Sequence, residues 1–261
     1  YFGPNYFKEL KQYDINLEKQ IPLGGKLVAW INRLIVIPVF DWLGQYGWSY
    51  GVVILILTLI IKICLMPIAF KSYMSSAKMR VLKPEIDVIN EKYPKQEDAM
   101  KKQQAIMDLY KKAGASPTSG CLPMLLQFPI LIAIFRFFPS SIELRQQPFL
   151  WADDLSTYDS ILDLPFNIPF YGDHVSLFTL LMTASTLLYT YINNKQMKQA
   201  QGDQAMPGMT LMLYLMPIIF LGVFNSYSAG LSYYYLLVNL FSFLQMYIFK
   251  ISINEDRLRK Q

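Results

Sequence analysis

The stretch LTLIIKICLMPI, residues 57–68, sets one lysine inside an apolar run. Lys62 is the fifteenth residue of a 23-residue segment, 48–70, long enough to cross a bilayer as a helix. A central lysine costs roughly 2.5–3.5 kcal/mol to insert, and Leu, Ile, Val and Phe each return about 0.3–0.6 kcal/mol. With thirteen such residues the segment inserts despite its charge. Thr58, four residues earlier, falls on the same helical face. Other apolar segments also carry polar side chains: Gln127 between two prolines in LPMLLQFPI, and Ser232, Asn239, Ser242 and Gln245 at intervals of seven, three and three. Thr179, Thr183, Thr186 and Thr190 recur at four, three and four. Groups of this kind hold charge and offer hydrogen bonds; they do not make or break covalent bonds.

Plainer readings stand beside a binding role. Lys62 could snorkel toward headgroups, the hydroxyl stripes could be packing seams, and the amides could bond one another. No Asp or Glu lies within any apolar segment, however, so water or a visiting partner must satisfy Lys62. That implies a wet, positively charged cavity among helices. A hydrolytic enzyme is excluded as a reading, because the single histidine, His174, stands at a segment end with neither HExxH nor an intramembrane Asp pair. Cys64 and Cys121 both lie in or beside apolar runs and suggest neither a disulfide framework nor a metal site. An anion transporter using Lys62 is a rival, but inverted repeats, broken helices and a coupling carboxylate are not seen. A passive scaffold for membrane assembly is a second rival.

The elements that position these residues follow from composition. Hydrophobic residues make up 53% and charged residues 16%, a balance of membrane proteins. Five segments qualify as spans: 48–70, 119–138, 174–192, 208–224 and 229–249. Residues 26–45 are apolar but carry Asn32, Arg33, Pro38 and Asp41, which suits an interfacial amphipathic helix better than a sixth span. Residues 71–117 hold ten Lys/Arg against six acids, whereas 139–173 hold only Arg145 and six acids. The positive-inside rule therefore places 71–117, the 193–207 loop and the 250–261 tail in the cytoplasm, with 139–173 and residues 1–25 outside. Basic residues beside spans also meet anionic lipid, and no nucleic-acid binding is expected of the net charge of +5. Within 71–117, Met79, Leu82, Ile86 and Ile89 form one apolar stripe, and Met100, Ile106, Met107 and Tyr110 a second. Two antiparallel helices joined near Pro94 would bury these stripes against each other. The fold class expected is an all-α integral membrane protein. The chain opens on tyrosine rather than methionine, without a signal peptide, and is expected to be part of a longer protein.

Residues 114–130, GASPTSGCLPMLLQFPI, resemble the signature of YidC-type membrane protein insertases, the family that includes the Oxa and Albino proteins of organelles. MSSAKMRVLKPEI, SSIELRQQPF and SAGLSYYYLLVNLFSFLQ match further blocks of that family in its order and spacing, from about residue 48 to 250. YFGPNYFKEL resembles the end of the large outer domain of Gram-negative members. The resemblance implies an inner-membrane protein with five core spans around a hydrophilic groove, open to cytoplasm and lipid and closed to the outside. Lys62 takes the place of a groove-facing positive residue that is arginine in most members, so charge is kept while the planar donor fork is lost. Thr58, Gln127, Asn239 and Gln245 fall at groove-lining positions. The implied activity is insertion and folding of new membrane proteins, with no cofactor and no enzymatic step. The implied partners are nascent membrane proteins and, at the cytoplasmic face, the Sec translocon, the ribosome or signal-recognition machinery.

Overall fold

Every backbone N–H and C=O inside a bilayer must be satisfied within the protein, so runs of Leu, Ile and Val that would favour strands in water form helices here. The computed structural model describes residues 3, 5–94, 98–116, 122–201 and 207–253. Three short helices come first: α1 (Phe7–Gln12), α2 (Lys26–Ile31) and α3 (Ile37–Gly44). They are followed by α4 (Tyr50–Val81), α5 (Lys83–Lys92), α6 (Ala99–Lys112) and α7 (Leu122–Ser140). A β-hairpin, β1 (Leu162–Ile168) with β2 (Gly172–Val175), precedes α8 (Leu177–Gln201), α9 (Pro207–Asn225) and α10 (Ala229–Ser252). The protein is thus mostly helical. Among the described residues two helices, α4 and α10, are long and apolar enough to cross a membrane, and α7 and α9 contain shorter apolar stretches.

Several bounds differ from the sequence expectation. The charged residues after 70 continue α4 without a break, giving 32 residues and a length of about 48 Å. The helix expected at 174–192 begins at Leu177 and runs on to Gln201. His174 lies on β2, in a two-stranded sheet that the all-α expectation does not contain. Cys121, the centre of the hairpin turn at 95–97, residues 117–120, part of the 193–207 loop and the tail beyond 253 lie outside the described residues.

The described chain divides into two compact units. The first comprises residues 1–62, 126–187 and 215–241. Its core is built from Ile54 and Leu57 of α4, Ile134 and Phe138 of α7, Phe178 of α8, and Leu231 and Tyr234 of α10. Gly51 of α4 lies under the Phe149 ring so closely that a Cβ there would overlap it. Between α2 and α3 the backbone takes a π-turn over Asn32–Val36, just where Pro38 supplies no N–H to a regular helical ladder. Asn32, fully buried, donates its amide to the carbonyls of Leu23 (3.0 Å) and Ala133 (2.9 Å), tying this segment to α7. Phe40 meets Phe137 edge-on at 5.1 Å. The other face leaves Trp30, Leu34 and Trp42 exposed. Burial, and then the neighbouring Glu143 carboxylate, raise the Asp41 carboxyl above its ordinary value.

A buried polar knot starts α8. The Asp159 carboxylate accepts hydrogen bonds from Trp151 Nε1 (2.8 Å), Ser176 Oγ (2.5 Å) and the backbone N–H of Phe178 (3.0 Å). It therefore satisfies an N–H that the first turn of a helix leaves unpaired, and sits favourably at the positive end of the helix dipole.

The second unit comprises residues 63–125, 188–214 and 242–261. Here Met79, Ile86, Ile106, Tyr110 and Ala115 form a closed apolar cluster, with Leu82, Ile89 and Leu109 against it. Of the first stripe, Met79 at the end of α4 and Ile86 of α5 are buried, and Leu82 and Ile89 are partly buried against them. In the second, Ile106 and Tyr110 turn inward, whereas Met100 and Met107 are exposed. Ser75 Oγ donates to the Ser116 carbonyl (3.3 Å) and accepts from its N–H (3.0 Å), and Lys78 Nζ donates to the Ala113 carbonyl (3.4 Å). These bonds close the base of the hairpin. Phe249 of α10 packs against Phe70 and Tyr73 at 5.3 and 5.7 Å.

Candidate functional site

Lys62 stands on α4 twelve residues after its first residue, so the helix holds it well away from either end. It is partly buried. Thr58, one turn before it on the same face, is fully buried, and its hydroxyl donates to the carbonyl of Ile54 at 2.7 Å. The threonine donor is therefore spent on its own helix, a bond that apolar surroundings favour.

Gln127 is partly buried on α7, and its amide Nε2 donates to the Tyr234 hydroxyl of α10 at 3.3 Å. Asn239 of α10 is 6% exposed and donates to Ser185 Oγ (2.9 Å) and Thr186 Oγ1 (2.8 Å) of α8. Two turns toward the start of the same helix pair, the seam continues: Ser232 Oγ meets Thr179 Oγ1 at 3.0 Å, and Thr179 donates to the Phe224 carbonyl at 3.2 Å. Ser232 and Asn239 thus share one row with the hydroxyls of α8, and the row joins α8 to α10. The partners of the amides are hydroxyls: Tyr234 for Gln127, and Ser185 and Thr186 for Asn239. Gln245, partly buried farther along α10, belongs to the second unit.

Residue type alone points to hydroxyl and amide stripes, and the structure separates them by role. Asn239, Ser232 and Thr58 are committed to bonds within the helix bundle. Lys62 and Gln127 keep some accessible surface. Tyr234, the support of Gln127, carries no signal in the sequence beyond its place in SYYYLL, because three adjacent tyrosines point in three directions around a helix. Among the described residues no three His, Cys, Asp or Glu side chains gather in metal-binding range.

The comparisons with known proteins agree with this architecture. The family model described as "60Kd inner membrane protein" matches residues 42–256. A protein of Parabacteroides distasonis named "Membrane protein insertase YidC" is 53% identical over 270 residues, covering 99% of this chain and 42% of the relative. A Bacteroides fragilis protein of the same name is 55% identical over 267 residues, covering 99% and 43%. The chain therefore spans less than half the length of these relatives. In fold, it resembles the structure described as "Active YidC insertase crystal structure with the first transmembrane domain resolved", with a TM-score of 0.58 at 24% identity, over 94% of this chain and 54% of that one. On the match over most of its length and on identities above one half, the chain belongs to the 60Kd inner membrane protein family.

Proposed function

We propose that the chain is the membrane-embedded core of an insertase that inserts newly made inner-membrane proteins and helps them fold. The relatives named membrane protein insertase support the activity. The observation in this chain that carries the reading is Lys62, a partly buried cation in the midst of an apolar helix, with a threonine beneath it whose hydroxyl is already bonded. Five spans, α4, α7, α8, α9 and α10, surround a hydrophilic groove, with Lys62 and Gln127 at its surface and Thr58 and Asn239 in its walls, while Gln245 prolongs the polar side of α10. Asn239 acts as a strut that holds α8 to α10. The segment 26–45 lies in the outer interface. The hairpin of α5 and α6 and the C-terminus lie in the cytoplasm.

The work is non-covalent. A hydrophobic segment of a nascent chain arrives from the cytoplasm, met by the basic hairpin. Its polar or acidic flank enters the groove and is held transiently by the Lys62 ammonium. Its apolar part moves along exposed faces of α7 and α9, where Leu125, Phe128, Ile218, Ile219 and Val223 are uncovered. The groove shortens the apolar distance that the flank must cross. A membrane potential adds about 2.3 kcal/mol per charge per 100 mV for negative charge moving outward. A single partly solvated cation binds weakly enough to release its guest, which a desolvated ion pair would not. The Sec translocon, ribosome or signal-recognition machinery meets the cytoplasmic face, and anionic lipid meets the basic hairpin. A photocrosslinking side chain at position 127 should capture nascent membrane proteins during synthesis. Failure to capture any, with capture intact at a control position on the hairpin, would favour a passive scaffold.

A further inference from the structure

The β-hairpin carries bare aromatics at a fixed height. Phe170, between the strands, is 98% exposed, and Phe166 and Leu162 of β1 are each more than half exposed. A two-stranded hairpin is marginal in water, and large apolar side chains left uncovered on one finger mark a contact surface.

Its height follows from three clamps to the end of α9. Asn225, the last residue of α9, donates its amide to the carbonyls of Tyr171 (2.9 Å) and His174 (2.8 Å). His174 Nε2 donates in turn to the Asn225 carbonyl (2.9 Å). The Phe170 carbonyl rests on Gly222, where an added Cβ would come within 2.6 Å of it. Gly222 lies three residues before the end of α9, about 4.5 Å along the axis. With 19 residues, α9 is about 28 Å long, close to the thickness of a hydrocarbon core. The hairpin tip is therefore level with the last turn of α9, close in height to the uncovered Ile219 and Val223.

We propose that this hairpin is a membrane anchor, seating Phe166 and Phe170 in the interfacial layer of the leaflet at the Asn225 end of α9. Lipid is the occupant because the bare Phe170 stands at the level of the uncovered Ile219 and Val223, and apolar rings at such a boundary insert among the lipids. From residue 161 to 172 the only charged side chain is Asp163, so a charge-matched protein partner has little to recognise. The anchor fixes the junction between the β-hairpin that leads into α8 and the end of α9 against the membrane surface.

The inference rests on α9 being a span, and the test separates the two. Nitroxide labels are placed on Phe166→Cys, Phe170→Cys, Ile219→Cys and Val88→Cys, in protein with Cys64 and Cys121 changed to serine, reconstituted in vesicles. The exposure of Phe170 means that its replacement disturbs no core packing. Collision with dissolved oxygen should exceed collision with a water-soluble nickel chelate several-fold at 166, 170 and 219, and the order should reverse at 88. Labels at 166 and 170 that favour the nickel chelate, or that are immobilised and shielded from both reagents, overturn the anchor while 219 keeps the span. A label at 219 that favours the nickel chelate overturns both.

Discussion

At the scale of single residues, the decisive quantity is what each polar group costs when unpaired. Asp159 is 2% exposed and makes three charge-assisted bonds, so its carboxylate is tolerated in the interior and orients the first turn of α8. Asp159→Ala removes an acceptor from three donors, of which Ser176 and the Phe178 N–H are buried, and should cost about 2–4 kcal/mol, with Asp159→Asn milder. Thermal unfolding in detergent measures this, and a shift no larger than that of an exposed Asp→Ala control would contradict it. Asn239 and Thr58 show what a sequence does and does not reveal. The spacing of Thr58 and Lys62 already places them on one face. Their differing duties depend on which carbonyl lies within reach, a matter of rotation and packing that residue type does not encode.

At the scale of elements, the hairpin was the most legible part. Met79, Leu82, Ile86 and Ile89 recur with helical period, and the structure buries Met79 and Ile86 with Ile106 and Tyr110 and packs Leu82 and Ile89 against them. Met100 and Met107 share the composition of that stripe and not its phase, and they end exposed. Burial of the Tyr110 ring raises its hydroxyl above the ordinary tyrosine value, in keeping with an interior position. Ile86→Ala should open this cluster at a cost of about 2–5 kcal/mol. Hydrogen exchange should then speed up across residues 79–115, and unchanged protection there would show that the cluster does not hold the hairpin. The β-hairpin was illegible for the opposite reason. LDLPFNI contains a proline, pairs over few residues and shifts register between Asp163 and Ile168, so no clean alternation announces it. Its position comes from side-chain clamps made by Asn225, more than fifty residues away in sequence.

At the scale of the whole molecule, helical membrane architecture could be read from composition, and family from four separated blocks. How the helices are paired could not. The α8–α10 seam depends on Thr179, Ser185 and Thr186 facing Ser232 and Asn239, and any of the other polar stripes could have served equally well on paper. Lys62 differs from the seam residues in kind, since it is the one charged side chain between residues 48 and 70. Its charge, more than its shape, is the substance of the proposed mechanism. The most direct test depletes the resident insertase of the host and supplies this protein with Lys62 changed. Lys62→Arg should restore insertion of substrates with acidic outer segments to the level of the unchanged protein. Lys62→Ala should impair it, and Lys62→Glu should reduce it at least tenfold, all at matched protein levels. Full complementation by Lys62→Glu at a normal protein level would contradict the account.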